Sequence, residues 1–276
     1  MRRVARARLA GQVIRRLRRS GIRDARYHAA TFEIRFTAPG DTEPTILQLA
    51  PMLGRPRRER LTHIAALLHT PGLPPDWSGA APRLRPVLRR AAPGAPLHRP
   101  AFPHLSEFVV VDQPEFLTYV TTTQPATWNV TADEVFTAAR ANLPGAVLHG
   151  TPSDRPVVVR FVDDGNAYWT SHLLLPGWLS RLAGQVGGPP VAFAPDRGTL
   201  LVTADVVTPI DGSLLPALFA QAEEIFLASP HPLTPMAYTS DPEGRTIPYP
   251  APPGHPLHDC VQRAEHLLAT HTPSEP

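Results

Sequence analysis

Arginine is the residue type whose number and clustering in this sequence suggest a chemistry, which is the binding of anions. Guanidinium groups pair bidentately with phosphate and with carboxylate alike. The fitting partners are a nucleic acid, an anionic membrane surface or the acidic face of a protein. The arginines cluster in a predicted N-terminal helix, near residue 57 and near residue 89. The anion-binding candidates are Arg15, Arg16, Arg19, Arg57, Arg58, Arg89 and Arg90.

Aromatic residues are few in these basic segments, which bears on the choice of partner. Tyr27, Phe32, Phe36 and Trp77 fall mostly at positions that a hydrophobic core would occupy, so few are left to stack on bases. Basic stripes alone are a weak indication of nucleic-acid binding. We therefore favour a protein partner and keep nucleic acid as the alternative.

A group of polar residues on one face of the predicted last helix includes two histidines three residues apart. The group is His255, His258, Asp259, Gln262 and His266. Such a pair of histidines can begin a metal site. Cys260, which would strengthen that hypothesis, falls on the opposite, apolar stripe. The ordinary polar face of an amphipathic helix is therefore favoured, and no metal is expected.

No catalytic constellation is found in the sequence. Ser171 and His172 are adjacent, but consecutive residues of a predicted strand point to opposite faces and cannot share a proton. Residues 163–166 have the types of a calcium loop without its spacing, and we predict a hairpin turn there. Neither Gly-x-Ser-x-Gly nor His-Glu-x-x-His occurs. We expect no cofactor and lean towards a protein that is not an enzyme.

Composition excludes several classes of protein. All 27 basic residues are arginine, so any mechanism that needs a lysine amine, such as a P-loop or a Schiff base, is impossible. Cys260 is the single cysteine among 276 residues, which excludes an intramolecular disulfide and fits a reducing, cytoplasmic compartment. No apolar run approaches the roughly 20 residues that span a bilayer.

Charge is distributed unevenly along the chain. Residues 1–92 hold 19 arginines and six acidic residues, a net charge of +13, whereas residues 93–276 hold eight and 18, a net charge of −10. Either the basic part meets an anionic partner, or the two parts dock on each other, which we slightly favour. We predict a basic N-terminal α+β subdomain over 1–92, a proline-rich linker or loop over 93–104, and a main α+β domain over 105–276 that ends in a C-terminal helix.

The basic part is predicted to contain a helix, a hairpin and a second helix. Residues 3–19 place Leu9, Val13 and Leu17 on one face and arginines on the other. An alternating strand over 26–37 and a strand over 44–49 flank a turn, and a helix over 57–69 ends before a proline and a glycine. A short strand follows at 86–90.

The remainder repeats a strand–strand–helix order. Strands over 107–111 and 116–121 precede a helix that Thr131 and Glu134 open with a capping box and that runs through Asn142. Strands over 157–162 and 167–172 precede a helix over 176–186, and strands over 191–194 and 199–203 precede a helix over 214–227. Hairpins with helices laid on one face predict an α+β fold with antiparallel-rich sheets.

Several segments together resemble the YtpQ-like family of bacterial proteins, which is a domain of unknown function. They are Leu84–Leu88, Glu107–Asp112, Tyr119–Val120, Ala139–Leu143, Tyr168–Trp178, Val191–Arg197, Leu200–Leu201 and Ser229–Thr234. The resemblance spans most of the chain and falls mainly on core, turn and helix-end positions. It implies a soluble bacterial protein with a shared α+β fold, and it supplies no family active site.

The favoured function is that of a non-enzymatic cytoplasmic binding or regulatory protein that engages a protein partner. The first alternative is an anionic-ligand binder, for nucleic acid or phosphate, that acts through the N-terminal arginines. The second alternative is an enzyme with an unrecognised site of histidine, aspartate and arginine, which a pocket with convergent polar groups would support.

Overall fold

The computed structural model describes residues 2–19, 21–37, 44–52, 73–90, 96–113, 116–143, 152–153, 155–162, 168–206 and 214–271. Within them the fold is α+β with antiparallel sheets, as predicted. The chain divides into two compact units, one of Met1–Leu84 with Val110–Val135 and the other of Arg85–Val109 with Phe136–Pro276. The domain boundaries expected from the sequence stay a prediction.

The first unit contains a long helix and a three-stranded meander. These elements are α1 (Arg2–Arg19), β1 (Arg26–His28), β2 (Glu33–Thr37) and β3 (Pro44–Gln48), with the strands in the order β1-β2-β3. The predicted apolar stripe of α1 is buried in one cluster with side chains of the sheet, including Ile34, Phe36 and Leu47. The helix predicted over 57–69 lies outside the described residues.

The prediction of a single strand over 26–37 is wrong, because the chain turns back at residues 29–32. Phe32 adopts a φ of +54° in this turn, and its ring packs edge-on against Tyr27 with centroids 6.4 Å apart. The turn places Phe32 in the core, where it is 4% exposed. Burial of this aromatic ring outweighs the strand preference that the alternation indicated.

A second antiparallel sheet and three helices follow along the chain. These elements are α2 (Trp77–Ala80), β4 (Leu84–Arg89), β5 (His98–Phe102), β6 (Leu105–Gln113), β7 (Phe116–Tyr119), α3 (Gln124–Thr127) and α4 (Ala132–Ala141). The strand order is β4-β6-β5, and β7 also pairs with β6. Strand β5 lies inside the stretch 93–104 that the sequence indicated as linker or loop.

Helix α4 begins with the capping box that the sequence predicted. The Thr131 backbone N–H donates to Glu134 Oε2 over 2.7 Å, and the Glu134 backbone N–H donates to Thr131 Oγ1 over 3.2 Å. These two bonds satisfy donors that have no partner within the helix.

The second unit is built on a five-stranded antiparallel sheet. From residue 159 onwards the elements of this unit are β8 (Val159–Val162), α5 (Ala183–Val186), β9 (Pro190–Asp196), β10 (Thr199–Ala204), α6 (Leu215–Ala228), β11 (Ala237–Ser240), β12 (Thr246–Pro248) and α7 (His258–Thr270). The strand order is β12-β11-β9-β10-β8. Phe193 packs edge-on against Phe219 of α6, with ring centroids 5.0 Å apart. On the opposite face of the sheet Phe161 packs against Trp169 and Trp178.

The hairpin predicted from strands over 157–162 and 167–172 is wrong in its second strand, and its predicted turn at 163–166 lies outside the described residues. Residues Trp169–Leu174 form a 3-10 helix, and Thr170 to Leu174 are all buried, so no polar face alternates with an apolar one. The helix predicted over 176–186 is only turns, a 3-10 helix over Ser180–Leu182 and α5. Its predicted end is confirmed, because Gly187 terminates α5 with a φ of +82°.

Candidate functional site: the basic face of the N-terminal helix

Helix α1 has one buried and one exposed face, as its sequence predicted. Leu9, Val13 and Leu17 follow each other at a spacing of four residues and are at most 3% exposed. Rows at this spacing lie along one side of a helix. Packing of this row against the sheet therefore directs the opposite side of α1 towards solvent.

The exposed side of α1 carries five arginines, which we call the basic face. They are Arg8, Arg15, Arg16, Arg18 and Arg19, and all five are exposed. None of them forms an ion pair with another described residue. By contrast, Arg35 in the same unit contacts the buried carboxylate of Glu33 at 2.6 Å. The candidates Arg15, Arg16 and Arg19 thus lie together on one accessible surface.

The electrostatics of α1 are unfavourable to its own stability. The helix contains no acidic residue, so Arg15 faces Arg18 and Arg19 at spacings of three and four without a compensating charge. Like charges at these spacings destabilise a helix by about 0.2–0.5 kcal/mol each. Arginines in the last turn do suit the helix dipole, but Arg8 lies too far from that end to do so. An external anion would relieve the repulsion.

The burial of the apolar side also bears on membrane binding. An interfacial helix must bury its apolar face in lipid, whereas that face of α1 already lies within the core of the first unit. Among the described residues, no helix is long and apolar enough to cross a bilayer.

The other predicted anion-binding residues have different surroundings. Arg57 and Arg58 lie outside the described residues. Arg89 and Arg90 are half-buried in the second unit, where Arg89 Nη1 donates to the Leu88 carbonyl over 2.6 Å.

Arg90 contacts the C-terminal end of α7. Its Nη1 lies 3.2 Å from Nδ1 of His271, and its Nη2 donates to the Leu268 carbonyl over 3.1 Å. The guanidinium lies 5.8 Å from the centroid of the Phe226 ring, and burial lowers the pKa of Arg90. Arg90 therefore stabilises the end of a helix, since it donates to a carbonyl that has no intrahelical partner.

The histidine group does not converge on a metal. His255 precedes α7, and its Nδ1 accepts the Leu257 backbone N–H over 3.1 Å. The His258 ring lies 2.8 Å from the Ala251 carbonyl. No set of three or more potential metal ligands occurs among the residues that the structure describes.

The Ser171–His172 pair is buried in the 3-10 helix, so the strand geometry used to dismiss it does not apply. His172 is 0% exposed, its Nδ1 lies 3.2 Å from the Tyr168 carbonyl, and its ring packs between Trp169 and Trp178. A substrate has no access to a ring in this position.

Sequence analysis missed a buried ionic cluster in the second unit. The Glu107 carboxylate is 0% exposed and accepts hydrogen bonds from Arg140 over 2.7 and 2.8 Å and from Arg99 over 2.7 Å. Arg99 also lies 4.1 Å from the centroid of the Phe136 ring. An acidic residue in the apolar run of β6 was the available indication, because a buried carboxylate requires paired charges.

Polar groups do not converge in the small pocket of the second unit. Its lining is Phe219, Met236, Ala237, Tyr249, Val261 and Ala264. The Tyr249 hydroxyl donates to Asp205 over 2.8 Å, and burial together with this carboxylate raises the pKa of Tyr249. An apolar lining with one engaged hydroxyl offers no acid, base or nucleophile for catalysis.

No family model, curated protein or solved structure matches the chain.

Proposed function

We propose that this is a non-enzymatic binding protein whose basic face engages the acidic surface of a protein partner. The observation that carries the proposal is that five arginines share one exposed face of α1 and none is ion-paired with a described residue. Arginines that serve the fold contact other described groups instead, as Arg140 contacts the carboxylate of Glu107. Arginines that repel one another and form no ion pair with a described residue are suited to bind an anionic partner.

A protein partner is favoured over nucleic acid by the side chains around the arginines. Val4, also on α1, is 56% exposed and offers an apolar contact that a phosphate backbone would not use. The aromatic side chains Phe32 and Phe36 are buried, so neither is available to stack on bases.

Family and location belong to the same proposal. Several segments that resemble the YtpQ-like family lie in the core of the second unit, including Val191 to Ala194 on β9 and Leu200–Leu201 on β10. Such positions are shared by proteins with a common fold and carry no activity of their own. We extend the proposal to a cytoplasmic bacterial protein that uses no cofactor.

The proposal is tested by charge reversal on the basic face with a matched control. We would compare the wild-type protein, the triple variant R15E/R16E/R19E and the control R155E/R160E/R181E, which changes the same total charge at exposed positions of the second unit. A partner captured by the wild type is identified, purified and titrated by calorimetry. We expect at least about a tenfold loss of affinity for the triple variant and less than about twofold for the control. Equal affinities for all three proteins would refute the proposal.

Binding to a phosphate backbone is the second candidate. Arg8, Arg15 and Arg19 lie along one line of the helix that is about 16 Å long, given a rise of about 1.5 Å per residue. Such a line of charges can follow a phosphate backbone and release its counterions. Fluorescence anisotropy with labelled DNA and RNA at two salt concentrations tests this candidate. Affinity that falls steeply with salt and is lost in R15E/R16E/R19E would support it, whereas a flat salt dependence would exclude it.

A further inference from the structure

A row of five residues lies at the centre of the exposed side of α1. It consists of Val4, Arg8, Gly11, Arg15 and Arg18, at spacings of four, three, four and three. This alternation keeps residues on a single stripe of a helix and is the spacing of a helix–helix seam. Gly11 is at the middle of the row, with arginines one turn away on both sides.

The fold of the first unit does not require glycine at position 11. A Cβ added there would meet only Arg15 Nη1, at 3.6 Å, which is an ordinary van der Waals distance. Its φ is not in the left-handed region that favours glycine. Glycine lowers the stability of a helix interior relative to alanine. Its presence here is explained if another chain must approach the backbone of α1 closely.

We infer that α1 docks an acidic helix of the partner, which crosses α1 at Gly11. The absence of a side chain allows the two backbones to approach, since the distance between packed helices depends on the side chains at the crossing. Carboxylates of the incoming helix would then pair bidentately with Arg8 and Arg15, on either side of the crossing. This inference rests on the proposed function and adds the secondary structure and the contact point of the partner.

The arrangement predicts a pattern in the partner. A small residue should face Gly11, and acidic residues should lie three or four positions before and after it on the same stripe. An unstructured acidic segment of the same charge would satisfy the arginines without approaching the glycine. The dependence of binding on position 11 therefore separates an acidic helix from general attraction to negative charge.

The test uses the full-length protein and three probes in calorimetric titrations at one salt concentration. The first probe is a 21-residue helical peptide with a central alanine. Its glutamates lie on the same stripe of the helix as this alanine, three or four positions before and after it. The second probe is a peptide of the same length and net charge, with its order scrambled and with prolines in place of uncharged residues to prevent helix formation. The third is a 20-base-pair DNA duplex. The protein variants are G11A, R15E and the control G184A, whose Cβ would meet no described atom within 4 Å.

We expect the helical peptide to bind at least about ten times more tightly than the scrambled peptide. G11A should weaken the helical peptide about fivefold while raising the melting temperature by about 1–3 °C, because alanine favours the helix. G184A should leave peptide affinity unchanged. A weaker affinity in a more stable protein cannot be attributed to misfolding.

Several outcomes would overturn the inference. If R15E weakens binding and G11A does not, the close approach is wrong while the proposed function survives. If the scrambled peptide or the DNA duplex binds as tightly as the helical peptide, the partner is not selected as a helix. If neither R15E nor G11A changes the affinity of any probe, the inference and the proposed function fail together.

Discussion

Arg90 illustrates how far residue type alone identifies the role of a residue. Arg90 stood among the candidates for anion binding because it belongs to an arginine cluster, yet its guanidinium contacts the Leu268 carbonyl and His271. Its contact with Leu268 joins residues 178 positions apart, a separation that local pattern does not reveal. Arg15, Arg16 and Arg19 were placed correctly on an exposed helix face because helical periodicity is local.

Replacement of Arg90 should loosen the end of α7. In R90Q the Leu268 carbonyl loses a charged donor, and we expect about 1.5–3 kcal/mol of destabilisation, the range for hydrogen bonds to charged groups. Hydrogen exchange should accelerate at the amides of the last turn of α7, including His271. R83Q, at an exposed arginine outside this contact, is the control. Unchanged exchange in R90Q would show that the contact does not stabilise the helix.

Glu33 supplies a residue-scale prediction about pH. Burial opposes ionisation of this carboxyl, but hydrogen bonds from Arg35 and Gln48 outweigh it and hold the pKa of Glu33 below its ordinary 4.5. A pKa lowered by folding contributes stability above the unfolded-state value, and that contribution is lost as pH falls through the folded-state value. The stability difference between wild type and E33Q, measured by urea unfolding, should therefore shrink below about pH 4.5. A difference independent of pH would contradict this assignment.

Elements were predicted well where short-range patterns decide them. The capping box of α4, the β9–β10 hairpin and helix α6 all follow from local periodicity and turn residues, and the structure confirms each of them. Strands β5, β11 and β12 were missed because they are short and contain prolines or lie within two residues of them, so their pairing depends on distant partners. The strand predicted over 167–172 was wrong because Thr170 to Leu174 are all buried in a 3-10 helix, so exposed and buried side chains do not alternate there.

Two glycines, one within α5 and one at its C-terminal end, should respond differently to alanine. A Cβ at Gly187 would clash with the Arg155 carbonyl oxygen, and the φ of +82° at this position disfavours any side chain. We expect G187A to destabilise the protein by at least about 1–3 kcal/mol. G184A, on the exposed side of the same helix, should be neutral or slightly stabilising. Thermal unfolding of both variants checks the difference, and equal melting temperatures would contradict it.

At the scale of the whole molecule, some arginines form ion pairs with the carboxylates of described residues and others, on the basic face of α1, do not. In the second unit Arg99, Arg140, Arg245 and Arg263 each contact a carboxylate, whereas the basic face of α1 contacts none among the described residues. The charge asymmetry of the sequence indicated either an anionic partner or docking of the two parts on each other, but not which arginines remain available. That distinction depends on long-range pairing, which composition cannot supply.

A trade-off between stability and binding should follow at the scale of the molecule. R15E replaces like-charge contacts to Arg18 and Arg19 with attractive ones, each worth about 0.2–0.5 kcal/mol. We expect R15E to be as stable as the wild type or more so in urea unfolding, and to lose affinity for the partner. R15Q should lie between the wild type and R15E both in stability and in affinity for the partner. If R15E is less stable, Arg15 serves the fold and not a partner.

The division into two units has a consequence for synthesis of the chain on the ribosome. The first unit is interrupted in sequence and lacks its last segment until Val135 has been made, and the second unit begins at Arg85 before the first is finished. Arg90 can contact the Leu268 carbonyl at the end of α7 only after a further 178 residues have been made. Contacts between residues so far apart in sequence form slowly, because closing the intervening loop costs entropy. During synthesis the first unit should therefore be completed while part of the second unit, to which β5 belongs, is still missing. In a nascent chain that has emerged from the ribosome as far as Val135, α1 should already be protected from proteolysis.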